Sequence, residues 1–185
     1  GTTESTSARV QSGWDNGTKD MSVIVNKSQT GIAYLTVYIN NLGGSNADID
    51  VAVYRGAVFA PHASTDALND YYGGKPLAKT TVNKLGSYVT FKLDGKGAFQ
   101  IVVSRAVDEN GTVTGTADPM ITGLFFDGEK PSLAWADTDS LTGTNWEGTY
   151  GKDGYVILDY DLATSENIAY TKGIYNSGET AYTGK

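Results

Sequence analysis

The chain has 185 residues, with 14 Lys and Arg against 21 Asp and Glu, a net charge of −7 and no cysteine. That length suits one sizeable domain with its own core, and the missing thiols exclude a disulfide framework and any thiolate metal site. No run of cations is present, which sets aside nucleic acid and strongly anionic polysaccharides, and no apolar run reaches membrane-spanning length, so no membrane insertion is expected.

In chain order, residues 1–7 are polar and lack the apolar region of a signal peptide. They read as part of a longer polypeptide. After the turn-like Asp15-Asn16-Gly17, residues 21–25 form a first strand pattern. Residues 32–39 are β-branched and aromatic with period two. Tyr34, Thr36 and Tyr38 share one face, and Ala33, Leu35, Val37 and Ile39 the other. Residues 49–54 put Ile49, Val51 and Val53 on one face, so Asp50, like Asp48 before it, is expected to face solvent.

The stretch 57–76 has no strand pattern. It admits one short helix over 64–72, capped by Ser64 or Thr65 and ended by Gly73-Gly74. Long insertions on rigid sandwiches tend to carry function. Val82, then residues 88–93 and 98–103, resume the strands. The last two are separated by Asp94-Gly95-Lys96-Gly97, which reads as a hairpin turn. Asp108-Glu109-Asn110-Gly111 is another turn, and 120–126, 156–160 and, more weakly, 168–175 are further strands. Phe125 and Phe126 must point to opposite faces. Trp14 and Trp135 read as half-buried packing residues. Short strands at this spacing predict an all-β antiparallel sandwich, jelly-roll-like in outline.

The densest signal is residues 142–155, Thr-Gly-Thr-Asn-Trp-Glu-Gly-Thr-Tyr-Gly-Lys-Asp-Gly-Tyr, with four glycines and three aromatics. Together with the Gly123-Leu124-Phe125-Phe126-Asp127 stretch, it resembles a β-sandwich module of large bacterial secreted glycan-degrading and cell-surface proteins. There the first motif opens the module and the second closes it. The two occur here in the reverse order. Either the sandwich is circularly permuted, or the chain crosses the boundary of a tandem array. The second option would leave strands such as 156–158 without a partner sheet. The favoured reading is therefore one module over 1–185. In it, residues 1–127 supply the main sheets with the 57–76 insertion, and 131–185 complete them. The resemblance implies carbohydrate binding in an extracellular or cell-surface protein, as a monomeric module of a multimodular chain.

No catalytic constellation stands out. His62 is the only histidine and has no nucleophile signature near it, and no pair of carboxylates suggests a glycosidase. The chain is read as non-catalytic and without a cofactor. A structural Ca²⁺ is not favoured, since 15–20 and 108–111 have the composition but not the spacing of calcium loops. Sugar binding rests on aromatic faces beside polar groups. Tyr71 and Tyr72, flanked by Asn69, Asp70 and Lys75, with His62 in the same insertion, form the first candidate set. Trp146 and Tyr150 form the second: they either clamp a sandwich corner or offer their faces to a ligand. The expected partner is a polysaccharide or oligosaccharide, with a neutral glucan such as starch first. The competing expectation is a structural spacer or adhesive repeat with no glycan site.

Overall fold

The computed structural model describes residues 14–15, 20–39, 48–56, 75–82, 86–131, 138–139, 146, 148–161 and 166–172. Among these there is no helix. The strands in chain order are β1 (Trp14–Asp15), β2 (Met21–Lys27), β3 (Ile32–Ile39), β4 (Ile49–Arg55), β5 (Ala78–Val82) and β6 (Ser87–Asp94). Then follow β7 (Gly97–Arg105), β8 (Met120–Ile121), β9 (Gly123–Asp127), β10 (Thr138–Asp139), β11 (Gly154–Asp161) and β12 (Glu166–Lys172). The expectation of a helix over 64–72 lies outside the described residues.

Two sheets make the sandwich. One has six strands in the order β10-β6-β3-β9-β11-β12, the other four in the order β2-β7-β4-β5, and β1 pairs with β8 in a small separate ribbon. Every pairing is antiparallel. Period two does the sorting. Leu35, Val37 and Ile39 of β3 and Val89, Phe91 and Leu93 of β6 point inward. They meet Ile49, Val51 and Val53 of β4 and Phe99, Ile101 and Val103 of β7 in one apolar core. Most of these side chains are fully buried, and each such side chain contributes roughly 1.5–3 kcal/mol of burial free energy. The facing residues come from separate sheets, so the core holds the two layers together.

The expected hairpin at 94–97 is corrected by the pairing. β6 bonds to β3 and β10, while β7 bonds to β2 and β4. The turn therefore carries the chain from one layer to the other. Gly95 and Gly97, at φ 81° and 126°, permit the bend. Lys27 locks it from the neighbouring crossover. Its Nζ donates to the carbonyls of Gln29 and Gly31 at 2.7 Å each and of Gly95 at 3.1 Å. The ammonium thereby joins the two crossovers at this end of the sandwich.

The late chain enters the same sheet as the early chain. β11 pairs with β9 from Gly154 opposite Phe126 to Ile157 opposite Gly123, and Leu158 joins the main core. The 120–126 expectation resolves into two strands broken at Thr122, whose amide donates to the Tyr38 carbonyl at 3.0 Å.

Candidate functional site

The described part of the glycine-rich motif, Trp146 and residues 148–155, packs on the outer face of the six-stranded sheet. That face presents Tyr38, Tyr88, Phe125 and Ile157, the residues that alternate with the core set. Tyr150 stacks on Tyr88 with ring centroids 4.6 Å apart and planes 9° apart, and Tyr88 stacks on Tyr38 at 4.2 Å. Trp146 tilts against Phe125 at 4.9 Å and meets Tyr155 edge-on at 4.7 Å. These are favourable aromatic geometries, worth about 0.5–1.5 kcal/mol per pair beyond burial. Burial also pushes the Tyr38 hydroxyl up to about 12, since its anion would have to form away from water.

Glycines give the rings room. A Cβ on Gly151, at φ 72°, would stand 3.1 Å from the Phe125 ring. One on Gly123 would stand 3.0 Å from the same ring. Asp127, buried at the end of β9, accepts the amides of Gly151 at 3.0 Å and Lys152 at 2.8 Å. The Asp153 amide returns a bond to the Phe126 carbonyl. The motif is thus pinned at its glycine turn by a buried carboxylate. Trp146 is 6% and Tyr150 1% exposed, so both faces of the Tyr88–Tyr150 stack lie within the protein. Phe126, on the opposite side of β9, packs against the main core.

The outer face of the four-stranded sheet is different. Across β7 and β4 it reads Gln100 beside Tyr54, Val102 beside Ala52, and Ser104 beside Asp50, and all six are buried. Asp50, expected to face solvent, is 2% exposed. The physical reason is the β4–β5 register, which brings two partners to it. Lys79 reaches its Oδ2 at 2.6 Å, and the Thr81 hydroxyl donates to Oδ1. A buried carboxylate is sustainable only with such partners. Asp48 is exposed, as expected. Gln100 donates to the Ser22 hydroxyl at 2.8 Å. The Tyr54 hydroxyl is pushed up to about 12, first by burial and then by the fields of Asp20 and Asp50.

The insertion leaves and rejoins this sheet at one end. The Gly56 amide donates to the Ala98 carbonyl at 2.9 Å, and the Leu77 amide to the Val53 carbonyl at 2.7 Å. Arg55 at its upstream base lies over the Phe99 ring, 4.6 Å from the centroid. Lys75 at its downstream base is exposed. Of the candidate sugar contacts, His62, Asn69, Asp70, Tyr71 and Tyr72 lie outside the described residues, as does Trp135. Lys75 stands at the base of the insertion, and Trp146 and Tyr150 belong to the aromatic layer of the other sheet.

Among the described residues, no group of three or more His, Cys, Asp or Glu is arranged to hold a metal. The 108–111 segment is ordinary turn chemistry. Asp108 accepts the amides of Asn110 and Thr112 at 2.9 Å each, and Gly111 takes φ 79°. No family model, curated protein or solved structure matches this chain.

Proposed function

We propose that the protein is a non-catalytic carbohydrate-binding module of a secreted or cell-surface protein, with a neutral glucan such as starch as its first ligand class. The observation that carries this reading is the division of aromatic labour. Trp146 and Tyr150 are consumed in packing, while the two ends of the insertion that bears Tyr71 and Tyr72 are tied to the four-stranded sheet by two main-chain bonds. A loop held at both ends on a strand pair is a suitable platform for stacking side chains. The exposed Lys75 and Arg55 at its base supply donors for sugar hydroxyls. Asp50, the most buried carboxylate of that sheet, is engaged by Lys79 and Thr81, which suits a structural role better than proton transfer. The proposed module needs no cofactor.

Affinity electrophoresis in gels cast with starch, pullulan, xylan, β-glucan, xanthan and pectin tests it. The wild type should be retarded in one neutral-glucan gel. Tyr71→Ala/Tyr72→Ala should lose that retardation and keep its melting temperature. A wild type that migrates freely in every gel sinks the reading. The burial of the motif aromatics favours a second reading in that event, a spacer repeat whose motif serves only to close the sandwich.

A further inference from the structure

The sequence contains no run of cations, yet the fold gathers them. One end of the sandwich is formed by the crossovers at 28–31 and 94–97 and by the base of the insertion. Arg55, Lys75, Lys92 and Lys96 are all exposed there. On the six-stranded side of the same end, Asp127 lies opposite Tyr34; the exposed Lys130 follows it in the chain, and the exposed Lys152 is brought there by the hydrogen bond from its amide to the Asp127 carboxylate. Among the described residues, Asp94, Glu129 and Asp153 are the exposed acids of this end, and the exposed cations outnumber them.

The far end carries the opposite sign. Asp48 precedes β4, and Asp108 and Glu109 occupy the turn after β7, all exposed. Among the described residues the one cation there is Arg105, and Asp118 holds it at 2.6 Å. The eight-residue strand β6 spans the distance between the ends, about 25 Å at roughly 3.3 Å per residue. That exceeds the Debye length of about 8 Å at physiological salt. The two ends therefore do not cancel one another, and each presents its own field to whatever approaches.

We infer that copies of this module dock head to tail, the cationic end of one against the anionic end of the next. Such a contact is heterologous, so it leaves a free end of each sign and propagates into a line of modules. Charge complementarity of this kind sets orientation and register more than affinity. Within one polypeptide, a linker would supply the effective concentration that separate molecules lack. The inference stands apart from the glycan reading, since neither end needs a bound sugar.

Sedimentation velocity over a concentration series at about 10 mM and about 1 M salt tests it on the full chain. Wild-type weight-average mass should rise with concentration at low salt and fall to the monomer at high salt. Arg55→Glu/Lys96→Glu removes the cationic excess of the first end. Asp108→Lys/Glu109→Lys adds cations to the anionic end. Each variant alone should remain monomeric at low salt, and an equimolar mixture of the two should associate. All four positions are exposed, so circular dichroism should show both variants folded. A wild type that stays monomeric at low salt overturns the inference. So does association of either variant alone to the wild-type extent, or a mixture that does not associate.

Discussion

The two outer faces of this sandwich solve the same problem in opposite ways. On the six-stranded sheet, Tyr38, Tyr88 and Phe125 are closed over by Trp146 and Tyr150 into an aromatic layer. On the four-stranded sheet, the equivalent positions hold Asp50, Tyr54, Gln100 and Ser104, buried and polar. The first face is secured by area and ring geometry, which tolerate small displacements. The second depends on individual partners at fixed distances, so removing one leaves another unsatisfied. The first therefore reads as closure of the fold. The second places a demanding polar layer beside the root of the insertion.

The largest expected effect tests the aromatic face. Phe125→Ala removes the ring that meets Tyr88, Trp146 and Tyr150 and should destabilise by about 3–5 kcal/mol, read from the urea midpoint. A loss below about 1 kcal/mol would show that the layer collapses to fill the gap. Next, Asp50→Ala should lower stability by about 2 kcal/mol, the scale of lost charge-assisted hydrogen bonds. Adding Lys79→Met to it should then have little further effect, because the pair is already broken. Full additivity in that cycle would deny the coupling on which the polar face rests.

Gly151→Ala should cost about 1–2 kcal/mol, since the left-handed backbone is strained with a side chain, and the nearby Phe125 ring adds crowding. Gly148→Ala, at φ 81° with open space around it, should cost less. Equal losses would assign the effect to backbone alone. The smallest effect is a pH dependence shared by the two faces. Tyr38 and Tyr54 both have hydroxyls raised to about 12 in the fold, against 10.0 for the free side chain. Above pH 10 the unfolded chain gives up these protons first. Stability is thus fully present below pH 10 and declines between pH 10 and 12. Tyr54→Phe should flatten part of that decline in urea midpoints measured at pH 9 and 11, and an unchanged slope would remove Tyr54 from it.

Much of this architecture is legible locally. The alternation in 32–39 and 49–54 already separates Leu35 from Tyr34 and Val51 from Asp50. Glycine density marks 142–155 as a tight turn, and Gly148 and Gly151 do take positive φ. What local pattern cannot supply is the partner. Asp94-Gly95-Lys96-Gly97 announces a reversal, but only the strands on either side decide whether the chain stays in one layer. Asp50 looks outward by alternation, yet Lys79 and Thr81 reach it only through the β4–β5 register. Trp146 and Tyr150 are ambiguous for the same reason, since Tyr88 and Phe125, which cover them, are distant in sequence. Lys79, two residues from the Thr81 that stands opposite Asp50 and so on the same face, completes the buried pair.

The strand order also imposes a timetable on the ribosome. Every strand of the four-stranded sheet lies between Met21 and Arg105, so that layer is complete in the nascent chain early. Its partner must await β9 and β11, and Tyr38 and Tyr88 stay uncovered until Tyr150 emerges. At roughly 5–20 residues per second, the stretch from Arg105 to Tyr150 takes about two to nine seconds to make. For that interval the newborn module carries bare tyrosine rings, a window in which a chaperone or a neighbouring nascent copy meets an unfinished face.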